Sequence, residues 1–352
     1  IGLLCADAAD PYLAQAVNDL ERRLRQSGYD SLLCCTGYEQ ETKEKYLSLL
    51  LSKRVDGLVL VGSHFVESEE AGNAYIRRAA QEVPVMLLGG ALAGQNLYAV
   101  RCDERAAMRG AVRRLLASGR QNVLYLYNSM SFSGRNKLAG YREGYADAGR
   151  SAPEGLALML DAYRFDVAQV RELLARKWDA GARFDAVLAA DDRLAVGAAK
   201  FAKLRGLRIP QDLSIIGCNN SPIARYCDPE LTSIDNRLGD LCAACVDGLM
   251  AVLEGKPCPA DAALPAAHFP QVRSPAVRDS HMTASPCAPQ ARQAVRSGIY
   301  PASARSRSST TALTRRGSRC PLPNKCRALR SRRRYSSAGS SRGMAWMHSS
   351  QK

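Results

Sequence analysis

The chain contains Phe184-Asp185-Ala186-Val187-Leu188-Ala189-Ala190-Asp191-Asp192, then a stretch of helical character, then Ile209-Pro210-Gln211-Asp212-Leu213-Ser214-Ile215-Ile216-Gly217-Cys218-Asn219-Asn220. The apolar runs at 186–189 and 213–216 lack the alternation of a half-exposed strand, as expected of strands covered on both faces of a parallel sheet. Ligands of such sheets bind beyond the carboxyl ends of the strands. Asp191 and Asn219 stand at two such ends, which predicts a site for a small polar molecule there.

On either side of this segment, short apolar runs alternate with amphipathic stretches, the pattern of successive β-α units. Strands are predicted over 1–5, 32–35, 57–61 and 85–88, with helices over 13–28, 41–53 and 69–81. A second series follows, with helices over 104–118, 136–148, 166–179 and 193–204 and strands over 123–127, 156–160, 186–189 and 214–217. A helix over 238–253, a Pro-rich link at 257–265 and an extended piece over 268–277 complete it. The repetition predicts an α/β fold of two doubly wound parallel-sheet lobes with a ligand cleft between them.

The charge is unevenly placed. Residues 281–352 hold 13 Arg and 2 Lys with no Asp or Glu, so the remaining 280 residues carry 34 basic against 34 acidic side chains. A formally neutral body favours a small-molecule or protein partner over direct phosphate neutralisation. The basic, Ser- and Arg-rich segment has too little apolar material to offset chain entropy and is expected to be disordered, either a nonspecific nucleic-acid arm or a segment foreign to the fold.

Nine of the twelve cysteines lie in the body, several within apolar runs where a free thiol packs as a small hydrophobe; this fits a reducing cytoplasm. Cys242 and Cys245 form a C-x-x-C inside a helical pattern with no second pair at zinc spacing, so no metal site is expected. Four histidines, two of them beyond residue 280, offer no triad, and neither G-x-G-x-x-G after a strand nor G-x-x-x-x-G-K-S/T is present. Neither enzymatic activity nor a cofactor is expected. No run approaches the roughly 18 apolar residues of a membrane span, and no signal-peptide pattern opens the sequence, so neither a membrane span nor export is expected.

Further landmarks run through the body: Ile1-Gly2-Leu3-Leu4 with Asp10-Pro11-Tyr12-Leu13-Ala14, Arg54-Val55-Asp56-Gly57-Leu58, Lys137-Leu138-Ala139-Gly140-Tyr141-Arg142, Ala190-Asp191-Asp192-Arg193-Leu194-Ala195, Gly206-Leu207-Arg208-Ile209-Pro210-Gln211-Asp212-Leu213, Pro229-Glu230-Leu231-Thr232-Ser233-Ile234 and Ser274-Pro275-Ala276-Val277. In this order they resemble the effector-binding region of the lactose- and galactose-repressor family of bacterial transcription regulators, across residues 1–280. The resemblance implies a periplasmic-binding-protein-like pair of lobes, residues 1–99 plus 236–263 and 100–235 plus 264–280, with crossings near Val100, Asp235 and Ala263. It further implies a homodimer in which hinge closure on an effector alters operator binding, through a helix-turn-helix headpiece that would precede the first strand. The alternative of another class is a solute-binding protein of a sugar transporter, whose lobes would read alike.

Carried over residue by residue, the resemblance places Asp191 at the polar position after the strand, Asn219 at a position that is acidic in the family, and Lys137 where the family has arginine, with Arg135 two residues before it. A lysine lacks the fork of a guanidinium. A sugar or nucleoside calls for hydrogen-bonding groups plus an aromatic platform, since an unmatched buried polar group costs about 1–3 kcal/mol. Asp7, Asp10, Ser133, Lys137, Asp191 and Asn219 are candidates for the former, Tyr12 and Tyr163 for the latter. Asp10 and Asp191 have a second reading as helix caps, Asn219 as a turn residue and Lys137 as a solvated first-turn residue.

Overall fold

The computed structural model describes residues 1–160 and 165–266. The expected extended piece over 268–277, Tyr163 and the basic segment lie outside the described residues. Two parallel sheets organise the chain. The first is built from β1 (Gly2–Cys5), β2 (Leu32–Cys35), β3 (Leu58–Val61), β4 (Val85–Leu88), β5 (Leu97–Cys102) and β11 (Asp261–Leu264), in the order β11-β5-β4-β3-β1-β2. The second contains β6 (Val123–Tyr127), β7 (Ala157–Met159), β8 (Ala186–Ala189), β9 (Ser214–Cys218) and β10 (Thr232–Ile234), in the order β10-β9-β8-β6-β7.

The register explains why the strand sequences show no alternation. In the first sheet Leu3, Cys5, Val59, Val61, Met86 and Leu88 face one core, while Leu4, Leu58, Leu60, Val85 and Leu87 face another on the opposite side. Successive side chains do point in opposite directions, but both faces are covered, so both sets must be apolar. One cover is α1 (Pro11–Gln26) with α9 (Leu238–Leu253); the other includes α2 (Gln40–Ser52) and α3 (Ala74–Ala80), the latter entered through a single 3-10 turn at Glu70–Asn73. Cys242 and Cys245 both lie on the buried stripe of α9, and burial pushes the Cys242 thiol up to about 12.

The second sheet carries α4 (Glu104–Ala117), α5 (Phe132–Ala146), α6 (Val167–Asp179), α7 (Asp192–Leu204) and the short α8 (Pro222–Tyr226) around a single large core. Gly140 and Gly144 let α5 lie against α4: a Cβ at Gly140 would come 2.2 Å from the Arg105 carbonyl oxygen, and one at Gly144 2.9 Å from that of Arg109. Above this contact Arg105 pairs with Glu143, and Arg109 with Asp147 at 2.6 Å.

Four elements go beyond the sequence expectation, namely β5, α8, β10 and β11. Strand β11, only four residues long, lies at a sheet edge with its side chains alternately exposed and half-buried, so it carries no run of large apolar residues. Helix α5 begins four residues earlier than expected, at Phe132, because Ser131 caps it. No described helix is long and apolar enough to cross a membrane.

Candidate functional site

Both sheets reverse their strand order internally, the first at β1 and β3 and the second at β6 and β8. At such a point neighbouring crossovers leave in opposite directions and open a crevice at the strands' carboxyl ends. The two crevices face one cleft of about 790 Å³, counting space that opens to solvent. Its lining comes from the residues after β1 (Asp10, Tyr12), β3 (Gly62, Ser63, His64), β4 (Gly89), β6 (Asn128, Ser129, Ser131), β8 (Ala190, Asp191) and β9 (Asn219).

Asp10 and Asp191 perform the same task in opposite lobes. Asp10 Oδ1 accepts from the backbone N–H groups of Tyr12 and Leu13 at 3.0 and 3.1 Å, capping α1, and Asp191 Oδ1 accepts from that of Leu194 at 2.8 Å, capping α7. Both cap, and both line the cleft. Their remaining oxygens converge on one guanidinium: Arg193 Nη2 lies 3.0 Å from Asp10 Oδ2 and 3.6 Å from Asp191 Oδ2, and its Cζ sits 4.8 Å from the centre of the Phe165 ring. Burial pushes the Asp191 carboxyl up, against the pull of Arg193. Ser63 and Ser131 share a 2.8 Å hydrogen bond, a second link from the first lobe to the second.

Lys137 is buried on α5 and fully engaged. Its Nζ donates to the Ala190 carbonyl at 3.0 Å and stands 3.2 Å from Glu104 Oε1. Burial opposes its charge, but the Glu104 carboxylate beside it outweighs burial and holds it above the ordinary lysine range. Asn219 adopts φ 99°, in the left-handed region that Asn tolerates better than most residues; its Oδ1 accepts from Asn236 Nδ2 at 2.8 Å. Tyr12 and Tyr38 supply aromatic surface, and His64 meets the Tyr38 ring edge-on at 5.0 Å. Burial and, less strongly, Lys43 lower His64 to about 4, so it is neutral at physiological pH. Burial raises Tyr38 to about 12. The loop carrying Ser63 and His64 is fixed from behind, because Lys43 Nζ donates to the His64 carbonyl at 2.6 Å and Tyr75 Oη to that of Phe65 at 2.7 Å.

Of the residues singled out from sequence, the structure gathers Asp10, Tyr12, Ser133, Lys137, Asp191 and Asn219 around the cleft. Asp7 is not in its lining; it accepts from the Ala9 N–H at 2.9 Å and shapes the turn before α1. Arg135 also stands outside, donating to the Met130 carbonyl at 2.8 Å and to Ser68 Oγ. Sequence reading missed Tyr38, Ser63, His64, Glu104, Asn128, Ser129, Ser131 and Arg193. The strand-end rule that marked Asp191 and Asn219 would have found Ser63, His64 and Asn128 had it been applied to β3 and β6 as well. Arg193 gives no such signal, because its meaning depends on Asp10 in the other lobe. Among the described residues no three His, Cys, Asp or Glu side chains converge as metal ligands would.

Comparison with known proteins agrees with this fold. Residues 1–224 match the model of periplasmic binding proteins and the sugar-binding domain of the LacI family. The chain is 49% identical over 259 residues to an HTH-type transcriptional regulator of Lachnoclostridium phytofermentans, covering 74% of this chain and 77% of that protein. It is 26% identical to the transcriptional regulator CelR in its cellobiose complex, covering 76% and 82% of the two chains with a TM-score of 0.65. The CcpA transcription regulator of Lactococcus lactis, 24% identical, shares the fold with a TM-score of 0.65 over 76% of this chain and 95% of that one. The chain therefore belongs to the LacI family of transcription regulators. Its relatives are regulators, and neither enzymes nor the transporter component of the alternative reading.

Proposed function

We propose that this chain is the sensing part of a cytoplasmic, homodimeric repressor-type regulator, and that a small sugar or nucleoside held in the cleft changes its affinity for operator DNA. The observation that carries this reading is the double origin of the cleft: groups from the carboxyl ends of both sheets face one space. A ligand contacting both sets stabilises one relative orientation of the lobes, and that orientation is the quantity a DNA-binding module can read. Ser133, Asn128 and Asn219 offer amide and hydroxyl partners for sugar hydroxyls, while Tyr12, Tyr38 and neutral His64 offer flat faces and edges. Cellobiose in the related CelR complex is consistent with a carbohydrate in such a cleft. The lobe limits implied by the resemblance, 1–99 plus 236–263 and 100–235 plus 264–280, are part of the same proposal.

The homodimer has its own support. Among the described residues strand β2 is an edge of the first sheet, with Leu32 and Leu33 each nearly half exposed, and in the second lobe Leu204 and Tyr226 are exposed at 59% and 84%. Exposed apolar groups on both lobes are what a self-association face provides. The test of the effector reading is a thermal-shift screen of sugars and nucleosides, since a ligand bound by the native state alone raises the melting temperature with its concentration. A stabilising ligand whose effect disappears in Asn219→Ala is expected. A stabilising ligand whose effect is unaltered in Asn219→Ala, Ser133→Ala and Tyr12→Ala would move the site elsewhere.

A further inference from the structure

We propose that Arg193 is a specificity-determining residue that makes this cleft accept uncharged polyhydroxyl effectors and turn away their phosphate esters, an inference that rests on the sugar-or-nucleoside reading above. Three helices, α1, α5 and α7, direct their N-termini at the cleft. Such termini ordinarily attract anions through unpaired N–H groups and the aligned peptide dipoles. Here the protein's own side chains occupy all three: Asp10 caps α1, Ser131 caps α5 and Asp191 caps α7. Two of these caps are carboxylates, so an entering phosphate meets negative charge where it would otherwise find donors.

The cations of the cleft are committed as well. Arg193 lies between Asp10 and Asp191 and rests on Phe165; Lys137 is held by Glu104 and the Ala190 carbonyl. The lining thus carries three carboxylates against two cations, and each cation is already paired. A phosphate ester would have to break these ion pairs and leave half-buried carboxylates uncompensated, a costly exchange. A hydroxyl need break none. It can donate to a spare lone pair of Asp10 or Asp191 while accepting from one of the remaining N–H groups of Arg193, which has five. Because Asp10 belongs to the first lobe and Arg193 to the second, a hydroxyl seated beside this pair touches both lobes at once.

The test uses the full chain and exchanges charge without removing caps, since Asn caps a helix about as well as Asp. Inorganic phosphate, and the pairs ribose and ribose 5-phosphate, glucose and glucose 6-phosphate, adenosine and adenosine monophosphate, are titrated by calorimetry into the wild type, into Asp10→Asn with Asp191→Asn, and into that double variant carrying Arg193→Leu. The wild type is expected to show no saturable phosphate binding and to prefer a neutral member to its ester. In the double variant Arg193 is freed, and phosphate and ester binding should rise about 10- to 100-fold, the worth of one charged contact; the triple variant should lose the gain. The single Asp191→Asn variant, with a smaller gain of the same sign, serves if the double variant fails to fold. Ester binding by the wild type equal to or tighter than the neutral partner, no gain on freeing Arg193, or a gain that survives Arg193→Leu overturns the inference. If the wild type takes an ester and refuses its parent, the effector reading stands and this selectivity is wrong; if no member of either class binds, both fail.

Discussion

Asn219 combines two demands at one position. Its backbone takes φ 99° at the end of β9, and its carboxamide oxygen is fixed by Asn236 while the group lines the cleft. Asn219→Ala should weaken binding of a stabilising effector by about 5- to 150-fold, the range set by a lost buried hydrogen bond of about 1–3 kcal/mol. Asn219→Gly keeps the backbone freedom and loses only the side chain, so calorimetry on both variants separates the two contributions. His64 leads to a pH prediction. Its folded pKa of about 4 lies below the ordinary histidine value of 6.5, so between those values the unfolded chain binds more protons than the folded one. Stability therefore rises with pH across that window and is lost as pH falls from about 6.5 to about 4. Half-buried Asp191 and buried Asp192, both pushed up, act in the opposite sense at the acidic end. The difference in melting temperature between wild type and His64→Gln, measured at successive pH values, isolates the histidine contribution; a constant difference between pH 4 and 6.5 would refute it.

At the scale of the element, α5 is instructive. Gly134 occupies its first turn because a Cβ there would come 2.1 Å from the Ser129 carbonyl oxygen, a backbone atom that cannot swing aside. Gly134→Ala is expected to destabilise the fold by about 1–3 kcal/mol through overpacking and to shift Ser131, with its bond to Ser63, away from the cleft; denaturant unfolding and effector titration check the two effects. The same glycine hid the helix start from sequence reading, since Ser131, Phe132, Ser133 and Gly134 carry no helical periodicity and the cap is recognisable only once the Gly134 N–H is seen to reach Ser131 Oγ at 3.3 Å. Strand β8 and helix α9, by contrast, fall where composition put them, because a four-residue apolar run and a long amphipathic stripe are local signals. The site divided in the same way. Asp191 and Asn219 could be read from the strands before them, whereas the pairings of Arg193 with Asp10 and of Lys137 with Glu104 join segments far apart in sequence. Such contacts are properties of tertiary structure, and no single window contains them.

At the scale of the whole molecule, the apolar edge of β2 and the exposed Leu204 and Tyr226 lead to a test of self-association. Sedimentation of the wild type should report a dimer, and charging the edge with Leu33→Lys should lower the association constant at least about 10-fold, since one centrally buried apolar side chain contributes roughly 1.5–3 kcal/mol. A wild-type monomer at micromolar concentration would refute the dimer. The described cores are built wholly from residues 1–266, so a chain ending at Ser280 is expected to keep a single cooperative melt; loss of cooperativity on that truncation would show that the basic segment contributes to the fold.

The position of α9 and β11 also bears on the order of events during synthesis. Leu238, Leu241, Cys242, Cys245, Val246 and Leu249 complete the core over α1, and β11 closes the sheet beside β5, although the rest of that lobe is encoded in the first hundred residues. As the polypeptide leaves the ribosome, the early half must wait with the β4 and β5 part of that face uncovered, α1 lying over β1 and β3, until the later half has emerged and folded. The lobe begun first is therefore finished last, and a nascent chain stalled between the two stages presents Met86, Leu88 and Val100 to whatever chaperone is at hand.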